Sequence, residues 1–382
     1  MKLVVVGAGA AGTASAWAAS SRADVIVLCD RDGDTALAGG ALLTGGADDV
    51  PLSFSETAAV TEFFEKLNYW RLQPDRVVSD TGMLLACAGL TDWQLPASRF
   101  DALQEGATVG VVAWGTNESE SRLLARALRE QLAAQGLHFE AIAIAGAGRW
   151  ADTPSADIAG YLDTAPGFAE LEAGLKTQCE KLAAALFPPV LGVAENLGTF
   201  LEKSLSLPCG EWAGALRSTA GHRFASRRDA LFQAVGVEMR GDRAESLART
   251  ADGWKIEFRG GGSLLADRIV LACGGLASGG IRLGSSAETL SGAPAASLSW
   301  KAPGDVVLDG THVSSTGAAS GLDLSHLGLD ALQRIGLQAD RAGGLRAPGL
   351  FGAGALLAGR PRTLLEAVVS GLAAGSAAIT HV

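Results

Sequence analysis

The feature that most constrains this chain is its opening, where the apolar run Leu3-Val4-Val5-Val6 enters Gly7-Ala8-Gly9-Ala10-Ala11-Gly12. A β-branched run ending in Gly-x-Gly-x-x-Gly, continued by the small residues Thr13 to Ser20, predicts strand, tight turn and helix. Gly7 permits the turn, and Gly9 removes the Cβ that would hold a pyrophosphate away from the backbone. Gly12 lets helix and strand pack closely. The N–H groups of the first helical turn, Ala10 and Ala11 among them, then face the anion. A second apolar strand, Val25-Ile26-Val27-Leu28-Cys29, ends at Asp30-Arg31, about 20 residues on, where a ribose-binding acid is expected. The pattern predicts a dinucleotide site. The alternative is an ordinary strand–turn–helix.

A chain of 382 residues has room for about two domains and a large core without metal or disulfide staples. Its formal net charge of -10 argues against a general nucleic-acid surface, which needs clustered positive charge. No uninterrupted apolar stretch is long enough to predict a direct membrane span. The first strand runs straight into a glycine turn, so it reads as mature structure and not as a signal peptide. The five cysteines are an odd number without Cys-x-x-Cys. That fits reduced thiols in a cytoplasmic protein, with no zinc or iron–sulfur site and no other metal expected.

After Asp30 a glycine-rich loop spans 38–46, where the backbone, Gly45 and the Thr44 hydroxyl can approach a cofactor; a plain surface loop is the other reading. Residues 55–69 predict a helix. A strand over 107–115, an amphipathic helix over 118–135 and a strand over 139–144 form a second βαβ unit. Its turn lacks a phosphate-binding glycine pattern, so it reads as an inserted domain. Phe187 to Val193, with Pro188-Pro189, breaks the helices that follow. A hairpin is expected around Ala251-Asp252-Gly253, and a buried strand over 266–273. The fold class expected is α/β: a Rossmann-like flavin-binding domain from 1–99 and 219–382, with a second α/β domain inserted at 100–218. The insert caps a substrate pocket or docks a partner.

Two further glycine turns separate flavin from nicotinamide. Ala272-Cys273-Gly274-Gly275 resembles the strand end that returns to the first sheet in two-dinucleotide-domain flavoproteins, with Gly274 and Gly275 beside the cofactor. Pro348-Gly349-Leu350-Phe351-Gly352-Ala353-Gly354 reads as a short strand and turn, followed by a small-residue helix over 362–379 after Pro361. In such flavoproteins that helix aims its positive end at the flavin pyrimidine. Three glycine turns in this order favour FAD over an NAD(P)-dependent dehydrogenase, which stays as the alternative.

Together these motifs resemble the B-subunit family of anaerobic glycerol-3-phosphate dehydrogenase, within the fumarate reductase-like flavoproteins. The likeness covers most of the chain. It includes Gly7/Gly9/Gly12, Trp93-Gln94-Leu95-Pro96-Ala97, the break Pro189-Val190-Leu191-Gly192-Val193, Gly221-His222-Arg223 and Leu350-Phe351-Gly352-Ala353-Gly354. The resemblance implies a flavin-bearing subunit that works with a second flavoprotein and passes electrons toward a membrane-anchored iron–sulfur subunit. FMN is described for family members, where this motif suits FAD equally well. One departure stands out. Many FAD enzymes of the wider group have Gly-Asp in the last turn, the acid holding ribityl hydroxyls; this chain has Gly354-Ala355.

For proton transfer the candidates are His312, in the polar stretch before the last glycine turn, and His222. Arg223 beside it, with Arg227 and Arg228, offers bidentate contacts to a carboxylate or phosphate, as do Arg360 and Arg362. The plainer reading of these arginines is a solvated basic face. Cys273 lies at a strand end among apolar neighbours that would make it inert. The expected function is a flavoprotein oxidoreductase, or its flavin-bearing subunit, oxidising a small hydroxylated substrate such as the polyol phosphate glycerol 3-phosphate. A rival is a non-catalytic electron-relay subunit that keeps the fold.

Overall fold

The computed structural model describes residues 1–31, 33–44, 58–114, 118–144, 147–150, 152–214, 219–285, 294–298, 306–308, 311–312 and 335–380. The chain divides into two compact units, one of Met1–Thr35, Thr44–Lys66 and Arg228–Val382, the other of Ala36–Leu43 and Leu67–Arg227.

In the first unit, β1 (Lys2–Val6), α1 (Ala10–Ser20) and β2 (Asp24–Leu28) follow one another as the opening motif requires. Three later segments complete the sheet: β3 (Glu238–Arg240), β4 (Arg268–Leu271) and β5 (Leu350–Gly352). The five strands are parallel, in the order β3-β2-β1-β4-β5. This is the doubly wound order in which connections leave β1 in opposite directions, opening a crevice at its carboxyl end between β1 and β4. The unit is therefore Rossmann-like α/β.

Both sheet faces are buried, which explains why β1 reads as a continuous apolar run and not as an alternating one. Leu3, Val5, Val25, Val27 and Val270 pack against small residues of α1 and of the last helix, α2 (Leu364–Thr380). Val4, Val6, Ile26, Leu28, Ile269 and Leu271 face Trp254, Ile256, Ile281 and Leu337. Each such side chain contributes about 1.5–3 kcal/mol on burial.

The two helices approach unusually closely. A Cβ added at Gly371 would lie 3.0 Å from the Ala11 Cα, and one at Gly375 would lie 2.8 Å from the Ser15 Cα. Ser15 Oγ donates to the carbonyls of both Ala11 and Gly371, each at 2.9 Å. α2 begins at Leu364, two residues later than the sequence suggests. The Thr363 hydroxyl accepts the Glu366 amide at 3.2 Å and sets the start, leaving Pro361 outside the helix. At the far end Arg268 Nη1 donates to the Ala378 carbonyl, a cation at a helix C-terminus.

The expected hairpin is present. Ala244–Thr250 pairs antiparallel with Gly253–Phe258, and Gly253, at φ +141°, closes the turn. The second unit carries a parallel sheet in which Thr108–Ala113 lies between His138–Ala143 and Ala184–Phe187, with Cys209–Glu211 at the edge. The helix Glu118–Gln131 joins the first two of these strands, so the second βαβ reading holds. A three-stranded antiparallel sheet accompanies it.

Candidate functional site

Three glycine turns meet at the carboxyl ends of β1, β4 and β5 in the first unit. Gly7 has φ +113°, and a Cβ there would come within 2.7 Å of the Ala272 carbonyl carbon. A Cβ at Gly275 would lie 2.6 Å from the Ala355 carbonyl oxygen. One at Gly354, with φ +69°, would lie 2.8 Å from the Ala11 Cβ. The first turn thus abuts the second, the second the third, and the third the helix that leaves the first. Only glycine accommodates these approaches.

Gly9 is the N-cap of α1, with φ -74° and no side-chain cap of its own. Around the position a Cβ would fill, the near neighbour among the described residues is Thr35, its Oγ1 at 3.0 Å. That hydroxyl accepts the Ala10 amide at 2.8 Å, taking one of the donors a helix start leaves without an intrahelical partner. Rotation of the Thr35 side chain about its Cα–Cβ bond would release this amide. No acidic residue stands in the first turn of α1, and Arg228 Nη1 donates to the Ala8 carbonyl at 3.2 Å. A helix dipole, a nearby guanidinium and a wall without a Cβ fit an anionic dinucleotide.

At the end of β2 the Asp30 carboxylate lies 3.6 Å from Arg243 Nε and remains about a third exposed. Arg31 is exposed and donates to the Gly279 carbonyl at 3.3 Å. Gly274, with φ +77°, curls tightly over Ser278, and its Cβ position lies 3.3 Å from Asp34 Oδ2. Gly352 is packed against Leu357 Cδ2, 2.9 Å from where a Cβ would stand. Thr44 is half-buried, and Gly45 lies outside the described residues.

The start of α2 is charged. Glu366 is buried in the first turn, its carboxyl 3.3 Å from Arg360 Nη1. Burial pushes its pKa above the ordinary carboxylate value, and the Arg360 charge pulls it back in part. Arg362 donates to the carbonyls of Ala355 and Ile335. Burial lowers its pKa, and the Asp34 charge opposes that. The Gly354 amide donates to Ser370 Oγ at 3.0 Å.

The three arginines of the helix Thr219–Val235 do not form one basic face. Arg223, 2% exposed, lies inside the second unit and binds both Glu211 oxygens, at 2.6 and 2.8 Å. Its Nε also donates to the Gly192 carbonyl at 2.7 Å, and the Trp93 ring centroid is 4.5 Å away. Burial raises the Glu211 pKa, while Arg223 and the Leu191 amide lower it. Arg227 lies over Trp93 at 6.0 Å, and Arg228 belongs to the first unit. The solvated-face reading is therefore corrected for Arg223: its partners on Glu211 and Gly192 draw it inside. His222 is exposed. His312 lies in a two-residue strand opposite Val307, and its side chain lies outside the described residues. Asp34 and Thr35 escaped the sequence reading. Only their reach to two separate turns marks them, and no local pattern encodes that.

No helix among the described residues is long and apolar enough to cross a membrane, and no group of metal ligands occurs among them. No protein-family model matches the chain, and no curated protein does. Solved structures similar to it include glycine oxidase from Geobacillus kaustophilus, at 13% identity, over 97% of this chain and 92% of that one, with TM-score 0.36. Iminodiacetate oxidase from Chelativorans sp. BNC1 is 14% identical over 99% and 93%, with TM-score 0.32. FqzB is 11% identical over 72% of this chain, which spans 36% of the FqzB chain, with TM-score 0.26.

Proposed function

We propose that this chain is a flavin-dependent oxidoreductase, or the flavin-bearing subunit of one, with FAD as its cofactor and FMN as the alternative. The observation that carries the reading is the meeting of three glycine turns around the first turn of α1. A bound flavin would supply two-electron acceptance from a substrate. The chain's own residues would bind and orient it. Gly7 to Gly12 present amides to the pyrophosphate, and Asp30 and Arg31 flank the adenosine end. Thr44, Gly45, Gly274, Gly275, Gly352 and Gly354 line the flavin end. The cofactor in this reading belongs to the unit of Met1–Thr35, Thr44–Lys66 and Arg228–Val382, a narrower division than the expected 1–99 and 219–382 with its insert at 100–218.

The resemblance to the B-subunit family of anaerobic glycerol-3-phosphate dehydrogenase supports a small hydroxylated substrate, such as a polyol phosphate. It also supports a second flavoprotein or iron–sulfur subunit as electron acceptor, in the cytoplasm and at the membrane through that partner. His312 and His222 are the proton-transfer candidates. Arg223 serves by holding the Pro188–Gly192 turn. Ala355, where an acid is common, favours the relay-subunit reading as runner-up.

Anaerobic addition of glycerol 3-phosphate and of simple amino acids to the purified holoprotein separates these readings. Loss of the oxidised flavin band with one of them alone supports a catalytic chain. Loss only when a partner fraction is present supports the relay. A protein that carries no flavin overturns both.

A further inference from the structure

Asp34 holds the one carboxylate oxygen among the described residues that is buried without a partner: its Oδ1 is closed to solvent and accepts no hydrogen bond. Leaving a buried charged acceptor unpaired costs more than losing a neutral hydrogen bond, so its position asks for an explanation. The place is specific. Asp34 Oδ2 lies 3.3 Å from the Cβ position of Gly274, in the turn after β4. The next residue, Thr35, accepts the Ala10 amide at the turn after β1. The dipeptide therefore reaches both lips of the crevice where the connections diverge, the place where doubly wound sheets hold ligands.

The charges sort what each half can receive. The α1 N-terminus, Arg228 and the Thr35 hydroxyl suit an anion. A carboxylate oxygen with no donor suits the opposite: it repels phosphate and accepts from a hydroxyl or an N–H. Asp30, at the end of β2, already offers a carboxylate on the other side of β1, so Asp34 serves the half beside β4 and the turn at Ala355. Arg362, which feels the Asp34 charge, donates to the Ala355 carbonyl and lies on that same side.

We propose that Asp34 Oδ1 accepts a hydroxyl of the polyol chain between pyrophosphate and flavin ring. The assignment rests on the flavin reading and adds to it the group that recognises the ribityl hydroxyls. The short segment Asp34-Thr35 then divides the ligand between an anion-binding residue and a hydroxyl-binding one.

The test uses the full chain stripped of cofactor, with Asp34→Ala and the isosteric Asp34→Asn. Two quantities are read: the melting temperature of the stripped protein and the dissociation constant for FAD from fluorescence quenching, with ADP as a second probe. A buried carboxylate oxygen without a donor predicts that both variants melt no lower than the parent. FAD should bind roughly 10- to 100-fold more weakly to Asp34→Ala, the worth of a hydrogen bond to a charged group. ADP, which lacks the polyol, should bind all three proteins alike. Lowered melting in both variants would make Asp34 a structural residue and overturn the proposal. So would unchanged FAD affinity, or an equal loss for ADP. If the parent protein binds neither FAD nor FMN, the flavin reading itself fails, an outcome separate from these.

Discussion

Two glycines three positions apart should fail in different ways when each becomes alanine. In Gly12→Ala the new methyl would stand 2.8 Å from the Gly7 carbonyl carbon and closer to its oxygen, against ordinary contact of 3.4–4 Å. Both are backbone atoms of the turn. α1 has little room to shift, because α2 packs closely beside it, Gly371 against Ala11. Overpacking of this kind costs about 1–3 kcal/mol, and two immovable partners place it at the upper end. Alanine returns about 1 kcal/mol of helix propensity, leaving a net loss of about 2 kcal/mol. In Gly9→Ala the methyl meets, among the described residues, just the Thr35 side chain, its Oγ1 at 3.0 Å and its Cβ at 3.8 Å, and φ -74° suits alanine. A turn of the Thr35 side chain about χ1 and a poorer cap cost about 1 kcal/mol or less. The same methyl stands where phosphate must approach, so FAD affinity should fall more than tenfold. Urea unfolding of the stripped proteins, beside FAD titration, reads both effects. Equal destabilisation by the two changes would refute the packing argument. Undiminished FAD binding by Gly9→Ala would refute the assignment of the turn.

Three further outcomes follow from the burial of charged and thiol groups. Arg223→Ala strands Glu211 in the core of the second unit and should destabilise it by about 3–5 kcal/mol in urea unfolding. The double change with Glu211→Leu should cost much less. Burial raises the Glu366 pKa, so the folded state holds its proton where the unfolded state has lost it. Stability from this group is full below the unfolded carboxylate pKa and falls as pH rises through the folded value. Glu366→Gln should flatten that slope in melting curves recorded from acid to neutral pH, and an unchanged slope would argue against it. The Cys87 and Cys209 thiols are pushed up to about 11 and about 12 by burial. Alkylation of the native protein at neutral pH, read by peptide mass, should spare both until the chain unfolds.

The β1–α1–β2 unit was legible because every cue in it is local. A strand buried on both faces is apolar throughout, and the glycine spacing lies within one hexad, even though Gly7 meets Ala272 and Gly9 meets Thr35 from other parts of the chain. The strand order was not legible. The return of β4 to the first sheet was signalled by its glycine turn, but nothing in Glu238–Arg240 says that it lies beside β2. The helix Thr219–Val235 invited a basic-face reading because Glu211, the partner that draws Arg223 inward, sits on a strand outside its pattern. Gly371 and Gly375 show a small-residue spacing in the sequence, yet only the fold reveals that α1 fills the groove. Asp34 and Thr35 look like ordinary loop residues until the crevice places them.

The central claim is that a flavin dinucleotide sits over the turn Gly7 to Gly12. Its most direct test is the visible spectrum of the purified protein, followed by chromatography of whatever heat releases. The account predicts the bands of an oxidised flavin and stoichiometric release of FAD, both abolished or sharply reduced in Gly9→Ala. A colourless protein that takes up neither FAD nor FMN on reconstitution would contradict it.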